Sequence, residues 1–256
     1  MVPKKLLVSN LTKTFSDGTK SIPTLSSISL TLEKGEFVSI IGPSGCGKST
    51  FFKILAGIEQ ETSGSIFLDG KESAKRKGQF GYMPQKPLLL PWRNVLENCM
   101  LGFSVKGSVQ EDAKQKALVL LKRFGLVEFA DAYPKTLSGG MEQRVALLRT
   151  ILYNRSFLLL DEPFGALDAL TRVSLQLWLH DVWREFESSV LFVTHDIREA
   201  LFLSDRIYVF SHRPASIRKE IHVPLPRPRK RLHLKTKVAL ELEEELEELL
   251  RREETA

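Results

Sequence analysis

A short apolar run, Phe37-Val38-Ser39-Ile40-Ile41, leads straight into the turn Gly42-Pro43-Ser44-Gly45-Cys46-Gly47. Lys48-Ser49-Thr50 then opens a helical pattern that Gly57 stops. No other stretch narrows the possible folds so far. A short run rich in β-branched residues predicts a buried strand. Gly42, Gly47, Lys48 and Ser49 fill every fixed position of G-x-x-x-x-G-K-[ST], in the strand–turn–helix setting that this pattern needs. Glycines at 42, 45 and 47 let the backbone curl so that successive N–H groups point inward at phosphate oxygens. The helix start adds donors and a partial positive charge. Lys48 brings an ammonium to the β- and γ-phosphates of a nucleotide, and the Ser49 hydroxyl suits Mg²⁺. Pro43, Ser44, Cys46 and Thr50 lie in the same loop and count with it as nucleotide-binding positions.

The rest of the chain must supply a core and a partner for that loop. Its 256 residues allow one large domain or two small ones, and 43% hydrophobic with 27% charged residues is an ordinary globular composition. No apolar run approaches the roughly 18 to 20 residues that span a bilayer. The start MVPKKLLVSN carries no long apolar region and no small-residue cleavage site, so no secretory signal is expected. Cys46 sits where a disulfide would obstruct the nucleotide, and both cysteines are expected as free thiols in a reducing cytosol. Charge is uneven. From Glu241 onward eight glutamates face two arginines, net −6, so the preceding residues carry +12 of the overall +6. A basic body suits nucleotide, nucleic acid or an anionic membrane surface, and charge alone does not choose.

In chain order, strands are expected at Leu6 to Val8 and Ile28 to Leu32, with turns at Asp17-Gly18 and Lys34-Gly35. Phe15, in the early loop TKTFSDG, offers a ring face for a base or tucks into the core. Ser65 to Leu68 and Gln79 to Tyr82 read as further strands, with Asp69-Gly70 as a turn. Met83-Pro84-Gln85-Lys86-Pro87 is an extended loop, in which Gln85 can touch Mg²⁺ or orient water. Asn94 to Tyr133 turns helical. Ser108 and Glu111 form a capping box, and Ala113, Ala117, Leu120, Leu121 and Phe124 fall at helical spacing. Ser138 is placed to cap a helix running to about Leu152, and Gly139 and Gly140 bare its first N–H groups. That makes a second anion-binding helix start.

Phe157 to Glu162 is a buried strand ending in two carboxylates. Asp161 is the position for Mg²⁺, and Glu162 for polarising a nucleophilic water. Gly165 to Asp168 leads into an amphipathic helix from Ala169 to Phe186. Val190 to Val193 is another core strand, and His195 after it can hydrogen-bond a terminal phosphate. Arg206 to Ser211 and Ile217 to Ile221 read as closing strands. Val223 to Arg229 is a proline-rich, basic, extended linker. Val238, Leu242, Leu246, Leu249 and Leu250 then share one helix face, which packs on its own domain or meets a partner.

Together these motifs resemble the ATP-binding subunit of an ATP-binding cassette (ABC) transporter, over roughly Leu6 to Pro228. Gly42–Ser49 resembles that family's Walker A, Gln85 its glutamine loop, Leu137–Met141 its LSGGx signature and Phe157–Glu162 its Walker B with catalytic Glu. Ala166–Asp168 fits the D-loop, His195 the switch histidine and Phe15 the adenine-stacking aromatic. Ser138 precedes Asp161 by 23 residues, which resembles the family's interval. One departure is Glu142, where the family more often has Arg or Gln. Leu88–Val95 and the segment Arg213 to Pro228 are similar to the importers of nitrate, sulfonates, taurine and thiamine-precursor pyrimidines.

The resemblance implies an α/β fold, a P-loop NTPase ABC core with an N-terminal antiparallel β subdomain and an inserted α-helical subdomain. It divides the chain into 1–226, with the helical part at about 86–153, and a basic linker with an acidic helix at 227–256. ATP and Mg²⁺ are the implied substrate and cofactor. Glu162, His195, Lys48 and Gln85 are implied in catalysis, and Ser49, Gln85 and Asp161 around the metal. Phe15, the loop from Gly42 to Thr50, and Ser138, Gly139, Gly140 and Asp168 would bind nucleotide, the signature residues acting on a second copy's ATP. The implied partners are that copy, a separate transmembrane permease and, indirectly, a solute-binding protein, at the cytoplasmic face of the membrane. No nucleic-acid partner is expected. Two rivals are a soluble ABC ATPase acting on nucleic acid and a regulatory subunit with degenerate catalysis. The first would carry long coiled coils, zinc modules or tandem cassettes, none of which is visible in this sequence, and intact Lys48, Asp161, Glu162 and His195 oppose the second.

Overall fold

Strands β1 (Leu6–Ser16) and β2 (Ser21–Leu32) form a long antiparallel pair at the start of the chain. The computed structural model describes residues 5–16, 18–106, 110–153, 156–165, 167–186 and 188–254. Both strands are much longer than their apolar patches suggest. Their outer halves alternate apolar residues with Ser and Thr, and register shifts after Val8 and Leu11 bend the ribbon. Phe15 therefore lies in β1, opposite Ile22, and not in a loop. The turn expected at Asp17 falls outside the described residues.

The phosphate-loop strand and helix follow as β3 (Phe37–Ile41) and α1 (Lys48–Leu55), with Gly57 at φ 73° just past the helix end. Next come β4 (Ser63–Leu68), the two-residue β5 (Lys71–Glu72) and β6 (Phe80–Met83). The helices α2 (Val95–Cys99), α3 (Leu101–Lys106), α4 (Gln110–Arg123) and α5 (Gly139–Leu152) come between β6 and β7 (Phe157–Asp161). The chain then alternates through α6 (Ala169–Phe186), β8 (Ser189–Val193), α7 (Ile197–Leu203), β9 (Arg206–Phe210) and β10 (Ile217–His222). Helix α8 (Lys237–Glu254) ends it.

Among the described residues these strands make two sheets. One is antiparallel, in the order β2-β1-β4-β5, so the N-terminal β unit is completed by strands from beyond the phosphate loop. The other runs β10-β9-β3-β8-β7-β6, parallel except for β10 at its edge. Every residue of β3, β7, β8 and β9 is buried, which is why they read as continuous apolar runs. One core lies where Leu6, Val8 and Ile28 of the first sheet meet Val38, Phe51, Leu191 and Phe210. A second covers the opposite face of the parallel sheet, where Phe37, Leu160 and Phe192 meet helices through Leu121, Val145, Leu148 and Trp183.

On α4, Ala113, Ala117, Leu120 and Leu121 face inward and are buried, as is Phe124 just past its end. The expected capping box rests on Ser108, outside the described residues. A capping box does form at the start of α2, where Asn94 and Glu97 satisfy each other's backbone N–H groups at 2.8 and 2.9 Å.

The segment after β10 is pinned to the fold. Arg227 donates to Asp205 and to the Leu203 carbonyl, and its guanidinium lies 4.3 Å from the Trp183 ring. Arg229 is buried and donates to the carbonyls of Leu201, Phe202 and Ser204, closing the end of α7. Helix α8 packs on α7 and β9 through Ala239 and Leu246, both buried, with Leu242, Leu249 and Leu250 beside them. Val238 is 44% exposed, so the packed face passes through Ala239 instead of Val238. Arg198–Glu243 at 2.6 Å and Arg218–Glu253 at 2.7 Å fasten the glutamate rows. No helix among the described residues is long and apolar enough to cross a membrane.

Candidate functional site

Parallel pairing brings three strand ends to one edge. Ile40 pairs with Val193, and Val193 with Asp161, so the turns after β3, β7 and β8 leave the sheet side by side. The carboxyl edge of a parallel sheet is where such folds bind ligands. A cleft of about 400 Å³ opens there. Gly42, Ser44, Gly45 and Gly47 with Lys48, Ser49 and Thr50 form one wall, and Gln85, Glu162 and His195 the other.

Two glycines are sterically required. A Cβ on Gly42 would lie 2.9 Å from the Phe210 carbonyl oxygen, and one on Gly47, at φ 126°, 2.9 Å from Leu25 Cδ2. Lys48 opens α1 and is buried, and its Nζ donates to the carbonyls of Gly42 at 2.7 Å and Pro43 at 2.8 Å. The loop thus folds round its own cation. Pro43 and Cys46 do not line the cleft. Cys46 is buried beneath the turn, its Sγ 3.8 Å from Lys48 Nζ, and burial pushes its thiol pKa up. It and Cys99 are both free.

Opposite the loop, burial pushes the Asp161 carboxyl up to about 6, while the Ser49 hydrogen bond and the Lys48 charge pull it down. Asp161 Oδ1 is buried without a hydrogen-bond partner. An orphaned carboxylate oxygen beside a serine hydroxyl fits Mg²⁺, which takes one or two carboxylates and substrate phosphates in place of an all-protein cage. Ser49 and Asp161 would hold the ion. When bound, Mg²⁺ would neutralise charge on the phosphate oxygens.

Glu162 adopts a left-handed backbone, φ 48°, which costs a non-glycine residue about 1–2 kcal/mol. Its N–H donates to Val193 at 3.0 Å, and its carbonyl accepts from Gly165 N–H at 3.1 Å and from Gln143 Nε2 at 3.3 Å. These bonds hold the strained turn and aim the carboxylate into the cleft. Gln85 Nε2 donates to Glu162 Oε2 at 3.2 Å, and His195 Nδ1 lies 3.6 Å from the same oxygen. Gln143 belongs to no motif in the sequence. Its signal is a polar residue at an inward position of α5, beside Val145 and Ala146.

Ser138, Gly139, Gly140, Asp168 and Phe15 do not line this cleft. Ser138 caps α5, its Oγ accepting from Met141 N–H at 3.3 Å. Asp168 accepts from Thr171 N–H at 3.0 Å, and its hydrogen bonds with Thr171 hold its pKa below the usual carboxylate range. Phe15 is capped by Lys13, whose Nζ is 4.5 Å from the ring centre. Ala166 lies outside the described residues.

Residues 25–165 match the family model described as ABC transporter. The chain is 44% identical to the aliphatic sulfonates import ATP-binding protein SsuB of Bacillus cereus, over 84% of each chain. It is 39% identical to the nitrate import ATP-binding protein NrtD of Synechocystis, over 86% of this chain and 83% of that one. Its fold is similar to that of the ATP-binding cassette MJ0796, solved as a dimer in a post-hydrolysis state with ADP and Pi. There the TM-score is 0.77 and the identity 32%, covering 85% of this chain and 98% of the other.

Proposed function

Since this chain belongs to the ABC transporter family, and is an ATP-hydrolysing cassette, we propose that two copies close on ATP to drive uptake of a small solute. The solute would pass through a separate membrane-spanning subunit, with the cassette bound at its cytoplasmic face. The observation that carries this reading is the division of the phosphate-binding parts. One chain gathers the phosphate loop, Glu162 and His195 round a single cleft, yet the helix start at Ser138 to Gly140 lies outside it. A second copy, turned to face the first, would lay that helix start on the bound nucleotide.

In the chemistry proposed, Glu162 takes a proton from the water that attacks the γ-phosphorus. A new O–P bond forms as the bond to the bridging oxygen breaks, and ADP leaves with that oxygen. Lys48 offsets charge on the β- and γ-phosphates, and His195 donates to a γ-phosphate oxygen. Gln85, already bonded to Glu162, holds the base and its water. The relatives named for import of aliphatic sulfonates and of nitrate support a solute such as an alkanesulfonate or nitrate, and taurine or a thiamine-precursor pyrimidine belongs to the same proposed range. The solute itself would be read by a binding protein and the membrane subunit.

The test is purification from the native membrane together with whatever accompanies the chain. A multispanning permease should come along, and ATPase activity should rise when a solute-loaded binding protein is added. Recovery of ribosomes or DNA instead would overturn the transport reading.

The segment after Gln85 is the proposed contact with the permease. Arg149 of α5 holds it, donating to the carbonyls of Pro87 at 2.6 Å and Leu88 at 2.9 Å. Leu88 and Trp92 then stand 64% and 71% exposed. Trp92→Ala should cut transport about 10-fold while leaving hydrolysis by the isolated cassette within about twofold, as expected for an aromatic anchor. Unchanged coupling would remove this surface from the reading.

A further inference from the structure

His195 reaches the cleft from a turn built on one buried carboxylate. Glu199, on the first turn of α7, is 5% exposed. Its Oε2 accepts from Thr194 Oγ1 at 2.7 Å, and its Oε1 from Gln176 Nε2 of α6 at 2.9 Å. A hydroxyl has one proton to give. With that proton committed to Glu199, Thr194 Oγ1 presents a lone pair to the Asp196 N–H, which donates at 3.0 Å. This bond arches over His195, from the residue before it to the residue after it. Asp196 closes the ring by capping α7, its Oδ1 accepting from Glu199 N–H at 3.1 Å.

The supporting layer is equally specific. Arg231 Nη1, from the C-terminal segment, lies 3.3 Å from Gln176 Oε1, which turns the amide nitrogen toward Glu199. Arg172 Nε stands 3.8 Å from Glu199 Oε1 and adds positive charge. Burial raises the Glu199 pKa, while the Thr194 and Gln176 bonds and Arg172 oppose that shift. Burying a carboxylate is costly where an apolar side chain would fill the same space. Here one oxygen orients the Thr194 hydroxyl that sets the histidine turn, and the other is held by Gln176.

We propose that Glu199 is a positioning residue for hydrolysis: through the Thr194 hydroxyl it fixes the turn that presents the His195 imidazole to the terminal phosphate. The proposal rests on the reading of His195 as a γ-phosphate contact. Gln176 is the second support, holding the Glu199 carboxylate in the rotamer that serves Thr194.

The experiment is a double-mutant cycle on the full chain, with kcat and KM for ATP measured for Thr194→Val, His195→Ala and the pair. Thr194→Val keeps the shape and removes the hydroxyl. It should lower kcat about 10-fold with KM for ATP within about twofold. The pair should be no slower than His195→Ala alone, because the hydroxyl acts only through that histidine. Thr194→Ser should recover most of the loss. If Thr194→Val leaves kcat within about twofold while His195→Ala lowers it by about 100-fold or more, the proposal is overturned and the reading of His195 stands. Losses that multiply in the pair would also overturn it. A His195→Ala protein with normal turnover would overturn the reading and the proposal together. Should Thr194→Val not fold, Glu199→Gln, which keeps the side-chain shape, enters the same cycle with the same criteria.

Discussion

Glu162→Gln should lower ATP turnover by about 10²- to 10⁴-fold while ATP binding persists. The substitution is nearly isosteric. The amide oxygen can still accept from Gln85 Nε2, which lies 3.2 Å from the present carboxylate, and the backbone bonds to Val193, Gly165 and Gln143 do not involve the side chain. The left-handed turn therefore survives. Only the proton acceptor disappears, so the loss should fall on kcat and leave nucleotide affinity within a few-fold. Phosphate release and equilibrium binding of a fluorescent ATP analogue separate the two quantities. Near-normal hydrolysis in this variant would remove Glu162 from its assigned role.

Lys48→Ala should act on both binding and turnover. The ammonium is buried and donates to the Gly42 and Pro43 carbonyls. Its removal takes away the cation meant for the phosphates and strips two carbonyls of their donor. Charge-assisted hydrogen bonds contribute about 1.5–3 kcal/mol each, so losing one to the β-phosphate and one to the γ-phosphate weakens ATP binding by about 10²- to 10⁴-fold. Calorimetric titration of ATP checks the size of the loss. Lys48→Arg should recover little, because a planar guanidinium replaces a compact ammonium in a loop closed tightly round it. Undiminished ATP affinity in Lys48→Ala would refute the role given to Lys48.

The most legible parts of the sequence were those whose signal is local. Buried parallel strands must be apolar throughout, so β3 and β7 were read within a residue of their ends. Ser138 ahead of two glycines can hardly do anything but cap, and it caps α5. Gly47 announces its loop because few residue types tolerate that backbone. The misreadings share another cause. Strand β1 continues to Ser16 because Thr12, Lys13 and Thr14 pair across the sheet, and cross-strand pairing leaves no apolar mark. Phe15 reads as a loop residue for the same reason. The proline-rich segment read as a linker because prolines disfavour regular structure, yet Arg229 finds carbonyls that lie 25 and 28 residues earlier in the chain. Val238 lost its place on the packed face to Ala239, a phase error of one residue at the start of α8. Gln143 and Glu199 carry no mark in the sequence because a buried polar side chain declares its purpose only once its partners are known.

The strand ends at the cleft are coupled mechanically as well as chemically. Because β3, β7 and β8 are hydrogen-bonded neighbours in one parallel sheet, Gly42, Glu162 and Thr194 leave it from a shared, stiff base. Neither strand can slide along the other without breaking a run of ladder bonds and shifting buried side chains out of their sockets. Lys48, Glu162 and His195 therefore keep their spacing like the fixed jaw of a vice. Whatever motion accompanies a catalytic cycle must be carried by the parts that do not spring from that base, such as the helix capped by Ser138 and, in the proposed dimer, the second copy.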